Sequence, residues 1–300
     1  MKKIISLALA LLMLVSMVGV LASCGGDKSN DNGDDNGDGA TTKNVKIIDI
    51  KLTDEEYAFL IKKDNEALVT SFNAYLAEIK DNGTYDAIVA KYFEGKGDKV
   101  GVAIASGDAT NTAEDFVVVT NCPFEPFEYI GDDGKIYGVD IEIAKGYAEK
   151  AGLNLVVKNL PQFDPIFEQV NSGLADIGMA GITVTPDRAE LYSFSTAYYN
   201  ASQKIIVPES CTDFDNCKTA EDVEAVIAAL KDKAIGFQNG TTGNWYVAGD
   251  ADWGYDGFAN VTPKGYATAL EAINDMKNGN IYAVVVDEAP GAAMVKAVNK

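Results

Sequence analysis

The sequence predicts an α/β protein made of two lobes, each with its own small sheet. Three observations lead there: apolar runs alternate with amphipathic helical stretches from Asp115 onward, the alternation restarts after residue 202, and helix-opening signals recur in both halves. A run such as "FVVVT" (116–120), apolar without period-two alternation, suits a strand covered on both faces, so parallel sheets are expected.

In the first lobe, 116–120 is followed by a helix in "VDIEIAKGYAEKAG", which Gly152 ends as a left-handed stop, and by a strand at 155–157. Asp164-Pro165 opens the next helix with an N-cap and a proline at the first helical position, and Gly173 closes it ahead of a strand in "ADIGMA" (175–180). Thr185-Pro186-Asp187 repeats the device. In the second lobe "SQKIIV" (202–207) is a strand, a helix begins at Thr219, and "AIGFQ" (234–238) is a strand. Thr262-Pro263 then caps a helix ending near Gly279, "YAVVVD" (282–287) is a strand, and "GAAMVKAVNK" starts a helix.

Ahead of all this, "EYAFLIKK" (56–63) reads as a strand. Leu68, Phe72, Tyr75, Leu76 and Ile79 share one helical face that Asn82-Gly83 terminates, and Ile88, Val89, Tyr92 and Phe93 make a last short apolar face. Residues 94–114 contain Gly, Asp and Thr with weak periodicity and read as a surface linker.

Composition narrows the chemistry. The 300 residues carry 45 acidic and 25 basic side chains, a formal charge of -20, so nucleic acid would be repelled. There is no histidine, which removes His-dependent triads, HExxH zinc sites and ordinary imidazole metal sites; no metal and no cofactor are expected. Arg188 is the only arginine. A planar guanidinium grips a carboxylate in two places, so this residue is the leading candidate for an anion site.

The N-terminus has two lysines, an apolar run from Ile4 to Val20 and small residues before Cys24, the layout of an export signal over 1–23. Leu21-Ala22-Ser23-Cys24 resembles a bacterial lipobox, which implies lipid on Cys24 and an extracytoplasmic, membrane-anchored body. Residues 24–44, rich in Asp, Asn and Gly, form a solvated tether. A calcium loop there fails, because Val45 stands where the bidentate Glu belongs. Cys211 and Cys217 are spaced to close a small disulfide loop, and Cys122 reads as a buried, inert thiol.

"AGITVTPDRAELYSFS" (180–195) brings a strand end, a helix start at Thr185 and Arg188 in its first turn to one place. Free N–H groups, the helix dipole, the Thr183 hydroxyl and the guanidinium suit a carboxylate there. A surface pair of Arg188 with Glu190 or Asp187 is the bland alternative. Gly240-Thr241-Thr242 in "FQNGTTGNWYV" makes a second strand-to-helix turn with donors for the same anion. Asp287, at the carboxyl end of a strand, suits an ammonium group or serves as an N-cap. Phe124, Phe127 and Phe163 offer aromatic faces to a ligand or fill the core.

Taken in order, "FEPFEY…G…GVDIEIA", "SGLADIGMAGITVTPDR", "QNGTTG" and "VVVDEAP" resemble the family 3 extracellular solute-binding proteins, the polar amino-acid receptors of ABC importers. The resemblance covers residue 115 to the end. It implies a two-lobed periplasmic-binding-protein (Venus flytrap) fold of type II, a free amino acid held between the lobes, hinge closure read by the importer's membrane domains, and a monomer that is not an enzyme. By the resemblance, Arg188 and Thr183 hold the α-carboxylate with Thr242 assisting, the Gly181 carbonyl and Asp287 take the α-ammonium, and Phe124 and Phe163 flank the side chain. Asn121 stands where receptors for cationic amino acids carry an acid, which weighs against lysine or arginine. A related enzyme of the dehydratase kind would need a further acid or base in the cleft; Glu125 is conceivable, but its alternation with Phe124 points it away. An amino-acid sensor is a third possibility.

The departure from the family is the order of the chain. The family's closing segment, ending in a "DGTYD…KYF" pattern, here appears as "DNGTYDAIVAKYF", ahead of the first strand. A circular permutation is inferred: lobe one is 58–97 plus 115–202, lobe two is 45–57 plus 203–300, and 94–114 joins the ancestral termini. Asn299-Lys300 and Val45-Lys46 become neighbours, and the strand at 56–63 pairs beside "FVVVT". A swapped dimer, with 45–95 completing a neighbouring copy, is the rival arrangement.

Overall fold

The computed structural model describes residues 44–106 and 111–300; the export signal, Cys24 and nearly all of the tether lie outside the described residues. Two five-stranded sheets organise the chain. The first runs in the order Asn154–Asn159, Asp115–Thr120, Ile177–Gly178, Leu60–Lys62, Tyr192–Phe194. The second runs Val45–Ile47, Gln203–Pro208, Ala283–Asp287, Ala234–Gln238, Thr262–Tyr266.

Both sheets are mixed, which corrects the expectation of purely parallel ones. In the first, 115–120 pairs parallel with 154–159 and 177–178, whereas Leu60–Lys62 is antiparallel to both neighbours. In the second, 283–287 and 262–266 flank 234–238 in parallel, while 203–208 is antiparallel to 283–287 and to 45–47. The antiparallel members lie next to the segments that cross between lobes. Glu55–Tyr57 pairs antiparallel with Tyr199–Ala201, and these two strands carry the chain from one lobe to the other.

Residues 56–63 are therefore two short strands instead of one. Tyr57 to Ile61 are all fully buried, and the pairing changes partner within them. Leu60–Lys62 does pair within lobe one, but not beside "FVVVT": Ile177–Gly178 lies between. Both edges of 115–120 are already taken by parallel strands, so the extra strand docks one position further out.

The first early helix behaves as its spacing predicts; in the second, Thr84–Phe93, Ile88 and Tyr92 are buried but Phe93 is exposed. Glu66–Asp81 buries Phe72, Tyr75, Leu76 and Ile79, and the Asn65 side chain caps its start by accepting from Leu68 N at 3.3 Å. Phe72 meets Phe59 edge-on at 5.4 Å and Tyr147 at 4.7 Å, so this helix fills the core of lobe one with 115–120 and Val139–Ala151. Val45, by contrast, belongs to the core of lobe two. Its N–H donates to Asn299 Oδ1 at 3.0 Å and its carbonyl accepts from Asn299 Nδ2 at 2.7 Å, which makes 45 and 299 neighbours.

Four further expectations are corrected. Asp164 has helical backbone angles and makes no side-chain cap, because its carboxylate lies against Gly240 of the other lobe. Thr262-Pro263 opens an edge strand, a position where a missing N–H is tolerated; the helix after it is Ala269–Lys277, capped by a reciprocal Thr268–Glu271 box. Within the linker, Val102 bridges Ile136 and Ile104 bridges Val157, so it is pinned to lobe one by two half-buried apolar residues. Cys211 and Cys217 are free thiols. Their loop is held instead by Phe214, buried beneath it, and by the turn bonds Cys211 N to Pro208 O and Cys217 N to Phe214 O.

Candidate functional site

Between the lobes lies a cleft lined by Asn121, Phe124, Phe163, Gly181, Thr183, Arg188, Thr242 and Asp287, the eight residues singled out from the sequence, together with Glu128, Ala180, Gln238 and Thr241. They come from strand ends and helix starts. Asn121 follows the strand 115–120, Gly181 and Thr183 follow 177–178, and Arg188 lies in the first turn of Pro186–Leu191. Thr242 opens Thr242–Ala248, and Asp287 ends 283–287. Strands that point their carboxyl ends at one crevice explain the convergence.

Arg188 is held by geometry, not by a surface acid. Thr185 Oγ1 accepts from Arg188 N at 3.1 Å, which fixes the helix start. Its Nη1 donates to Thr183 O at 2.8 Å and its Nη2 to Gly240 O at 3.0 Å, the second bond crossing the cleft. The guanidinium is sandwiched by Phe167 and Trp245, each 4.8 Å from its carbon, with Phe163 at 5.5 Å. Burial lowers its pKa to about 10, opposed by the charges of Glu55, Asp164 and Asp287. It remains a cation at neutral pH.

The opposite pole is acidic. Asp287 accepts from the Tyr57 hydroxyl at 2.5 Å; burial, with Glu55 adding to it, raises its pKa to about 7. Asp140, also raised to about 7 by burial, accepts from Gly181 N at 3.2 Å and has the Tyr198 hydroxyl beside its carboxylate. Glu128 is fully buried, and among the described residues neither of its oxygens has a hydrogen-bond partner. Burial and then the charges of Asp140 and Asp287 push its carboxyl well above the usual range.

Gly181 is required where it stands. Its φ is +54°, and an added Cβ would sit 2.6 Å from the Phe124 ring, so glycine lets the aromatic wall close on the backbone. The carried-over assignments place two residues in other company. Asn121 donates to Leu160 O at 2.8 Å and accepts from Gln238 Nε2 at 2.7 Å, so its amide is engaged across the lobes. Phe163 faces the guanidinium. Glu125 is outside the cleft, with its side chain half exposed and 4.0 Å from Lys99.

Residues 116–284, more than half of the chain, match the family described as bacterial extracellular solute-binding proteins, family 3. The chain belongs to that family. It is 28% identical over 64% of its length to a probable histidine-binding protein of Neisseria gonorrhoeae and 30% identical over 60% to ABC transporter arginine-binding protein 1 of Escherichia coli. The matched region spans 66% and 65% of those relatives, just under two thirds. Among solved structures, an ancestral arginine-binding protein bound to arginine is similar with a TM-score of 0.54 and 31% identity, over 63% of this chain and 77% of that one. Among the described residues of this family 3 protein, no helix is long and apolar enough to cross a membrane.

Sequence reasoning missed Glu55, Tyr57, Glu128 and Gln238. Gln238 ends the strand 234–238, so the rule that found Asp287 would have found it. Glu128 carried no signal beyond the motif around Phe127, Tyr57 was hidden inside what read as one continuous strand, and Glu55 stood just ahead of that strand with no motif of its own.

Proposed function

We propose that this protein captures a free polar amino acid between its lobes and delivers it to an ABC importer. The observation that supports this best is the pairing of a buried arginine at one pole of the cleft with the Asp287 acid at the other, the complement of a zwitterion. On this reading Arg188, Thr183 and Thr242 receive the α-carboxylate, the Gly181 carbonyl and Asp287 receive the α-ammonium, and Phe124 and Phe163 border the side chain. Closure is the bound state because Arg188 lies in one lobe and Thr242 and Asp287 in the other, and only closure engages all of them. A thermal-shift screen against the twenty amino acids tests the reading: at 100 times Kd a ligand adds about 2.7 kcal/mol of stability. No shift with any of them overturns it.

The same reading places the protein outside the cytoplasm as a monomer, anchored by lipid on Cys24. Cys24→Ala should move it from the membrane fraction to the soluble one. It also treats the chain as a circular permutant. The bonds between Val45 and Asn299, the burial of 66–81 in lobe one and the confinement of the family match to 116–284 support that. A rearranged gene that joins residue 300 to residue 45 and begins at 115 should bind the same amino acid; a rearranged protein that does not fold counts against it. A monomer by sedimentation excludes the swapped dimer.

Glu128 favours one second reading. A buried carboxyl in the cleft, raised and without a partner, is what a dehydratase-like enzyme would use as its acid. Mass spectrometry of the ligand after incubation separates the two: it returns unchanged from a receptor and lighter by water from a dehydratase.

A further inference from the structure

Glu55 lies at the anion pole without having been assigned to it. It is buried, and its carboxylate accepts three hydroxyl bonds. Oε2 accepts from Thr183 Oγ1 at 2.7 Å and from Thr242 Oγ1 at 2.8 Å, and Oε1 accepts from Thr53 Oγ1 at 2.7 Å. Thr183 belongs to the first lobe and Thr242 to the second, so one carboxylate ties the two together. Thr242 Oγ1 already accepts from Gln203 Nε2 at 2.9 Å, which leaves its single proton directed at Glu55.

The arrangement follows from the crossing strand Glu55–Tyr57. Residues two apart in a strand share a face, so Glu55 meets the threonines of the anion pole while Tyr57 meets Asp287 at the amino pole. A threonine hydroxyl has one proton. Thr183 and Thr242 cannot donate to Glu55 and to a ligand carboxylate together. Two carboxylates held side by side against the single arginine would also repel each other. Glu55 also borders an outer groove with Lys51, Asp54, Glu56, Trp253 and Tyr255, which gives the side chain a place to go.

We propose that Glu55 is a resident counter-ligand: its carboxylate holds the hydroxyl donors of Thr183 and Thr242 and is displaced into the outer groove when a carboxylate-bearing ligand takes them. The proposal rests on the amino-acid reading above. Glu55 then sets affinity and selects for the carboxylate, since a molecule without one has no means of taking the threonines from it. Because the bridge stabilises only the ligand-free protein, removing it strengthens binding.

The test uses Glu55→Ala and Glu55→Gln, titrated calorimetrically with the amino acid that gives the largest thermal shift and with the corresponding decarboxylated amine. Spin-label distances between the lobes are measured without ligand. Glu55→Ala is expected to bind the amino acid about tenfold more tightly. Glu55→Gln should fall between it and the parent, the amine should gain nothing, and the lobe-to-lobe distance of ligand-free Glu55→Ala should widen. Unchanged or weaker binding of the amino acid by both folded variants overturns the proposal while leaving the amino-acid reading intact. A parent protein that binds none of the twenty defeats that reading, and this one with it.

Discussion

The two poles of the cleft are built on opposite terms. At the anion pole the donors are engaged: Arg188 donates to two carbonyls and rests between aromatic faces, and Thr183 and Thr242 donate to Glu55. At the amino pole Glu128 has no hydrogen-bond partner among the described residues. A satisfied pole fixes geometry. An unsatisfied carboxyl carries a desolvation penalty that a ligand rich in N–H groups would relieve, so on the proposed reading much of the drive for binding would reside at the acidic end and much of the orientation at the basic end.

The largest expected effect comes from dismantling the satisfied pole. Arg188→Ala should cost about 2–5 kcal/mol of affinity for the amino acid, the usual result of removing one member of a buried charge pair. Titration calorimetry that finds parental affinity would break the comparison outright. At the other pole Asp287→Asn should cost about 1.5–3 kcal/mol, the worth of a hydrogen bond to a charged group. If that variant binds an N-acetylated ligand better than the parent does, the poles are correctly named; if it binds the free amino acid as well as the parent does, they are not.

The pH dependence sharpens the contrast, because the acids of the amino pole are raised toward neutrality. Asp287, with its pKa raised to about 7, becomes a better partner for an ammonium as pH rises from 6 to 8, so affinity should increase over that range. Stability runs the other way. A carboxyl whose folded pKa lies above its unfolded value of 3.8 binds more protons in the folded state, so ligand-free stability falls as pH climbs from about 4 to about 7. Glu128→Gln should raise the melting temperature at pH 8 and leave it little changed at pH 5, as scanning calorimetry would record. An equal rise at both would mean that charge is not what makes Glu128 costly.

The smallest effect is expected between the poles. Gln238→Ala removes the bond to Asn121 across the lobes and should weaken binding by about 0.5–1.5 kcal/mol, the net worth of a neutral hydrogen bond. A larger loss would show that closure depends on this contact as much as on the charges.

The eight cleft residues named from the sequence line one cleft because each belongs to a motif with local logic: a strand end, a turn of glycine and threonine, a helix start with its cap. Thr185 capping Arg188 is the plainest case. The helices at 66–81 and 84–93 were legible for a similar reason, since apolar spacing is a property of neighbours along the chain. What failed was non-local. Whether 56–63 is one strand or two, and which strand it sits beside, depends on which sheet edges 154–159 and 177–178 leave open. Asp164 looked like a cap until the second lobe put Gly240 against its carboxylate.

The sequence by itself determined that this chain folds as two α/β lobes, that its single arginine sits at a helix start, and that residues 66–81 and 84–93 are helices. Those follow from periodicity, from cap chemistry and from counting one residue type. Only the tertiary structure decided that Glu55 would reach the same threonines as the proposed ligand and that Glu128 would be buried without a partner. The reason is physical: hydrogen bonding and desolvation depend on what lies within a few ångströms in space, and Thr183 and Thr242 around Glu55, like Asp287 near Glu128, lie more than a hundred positions away along the chain.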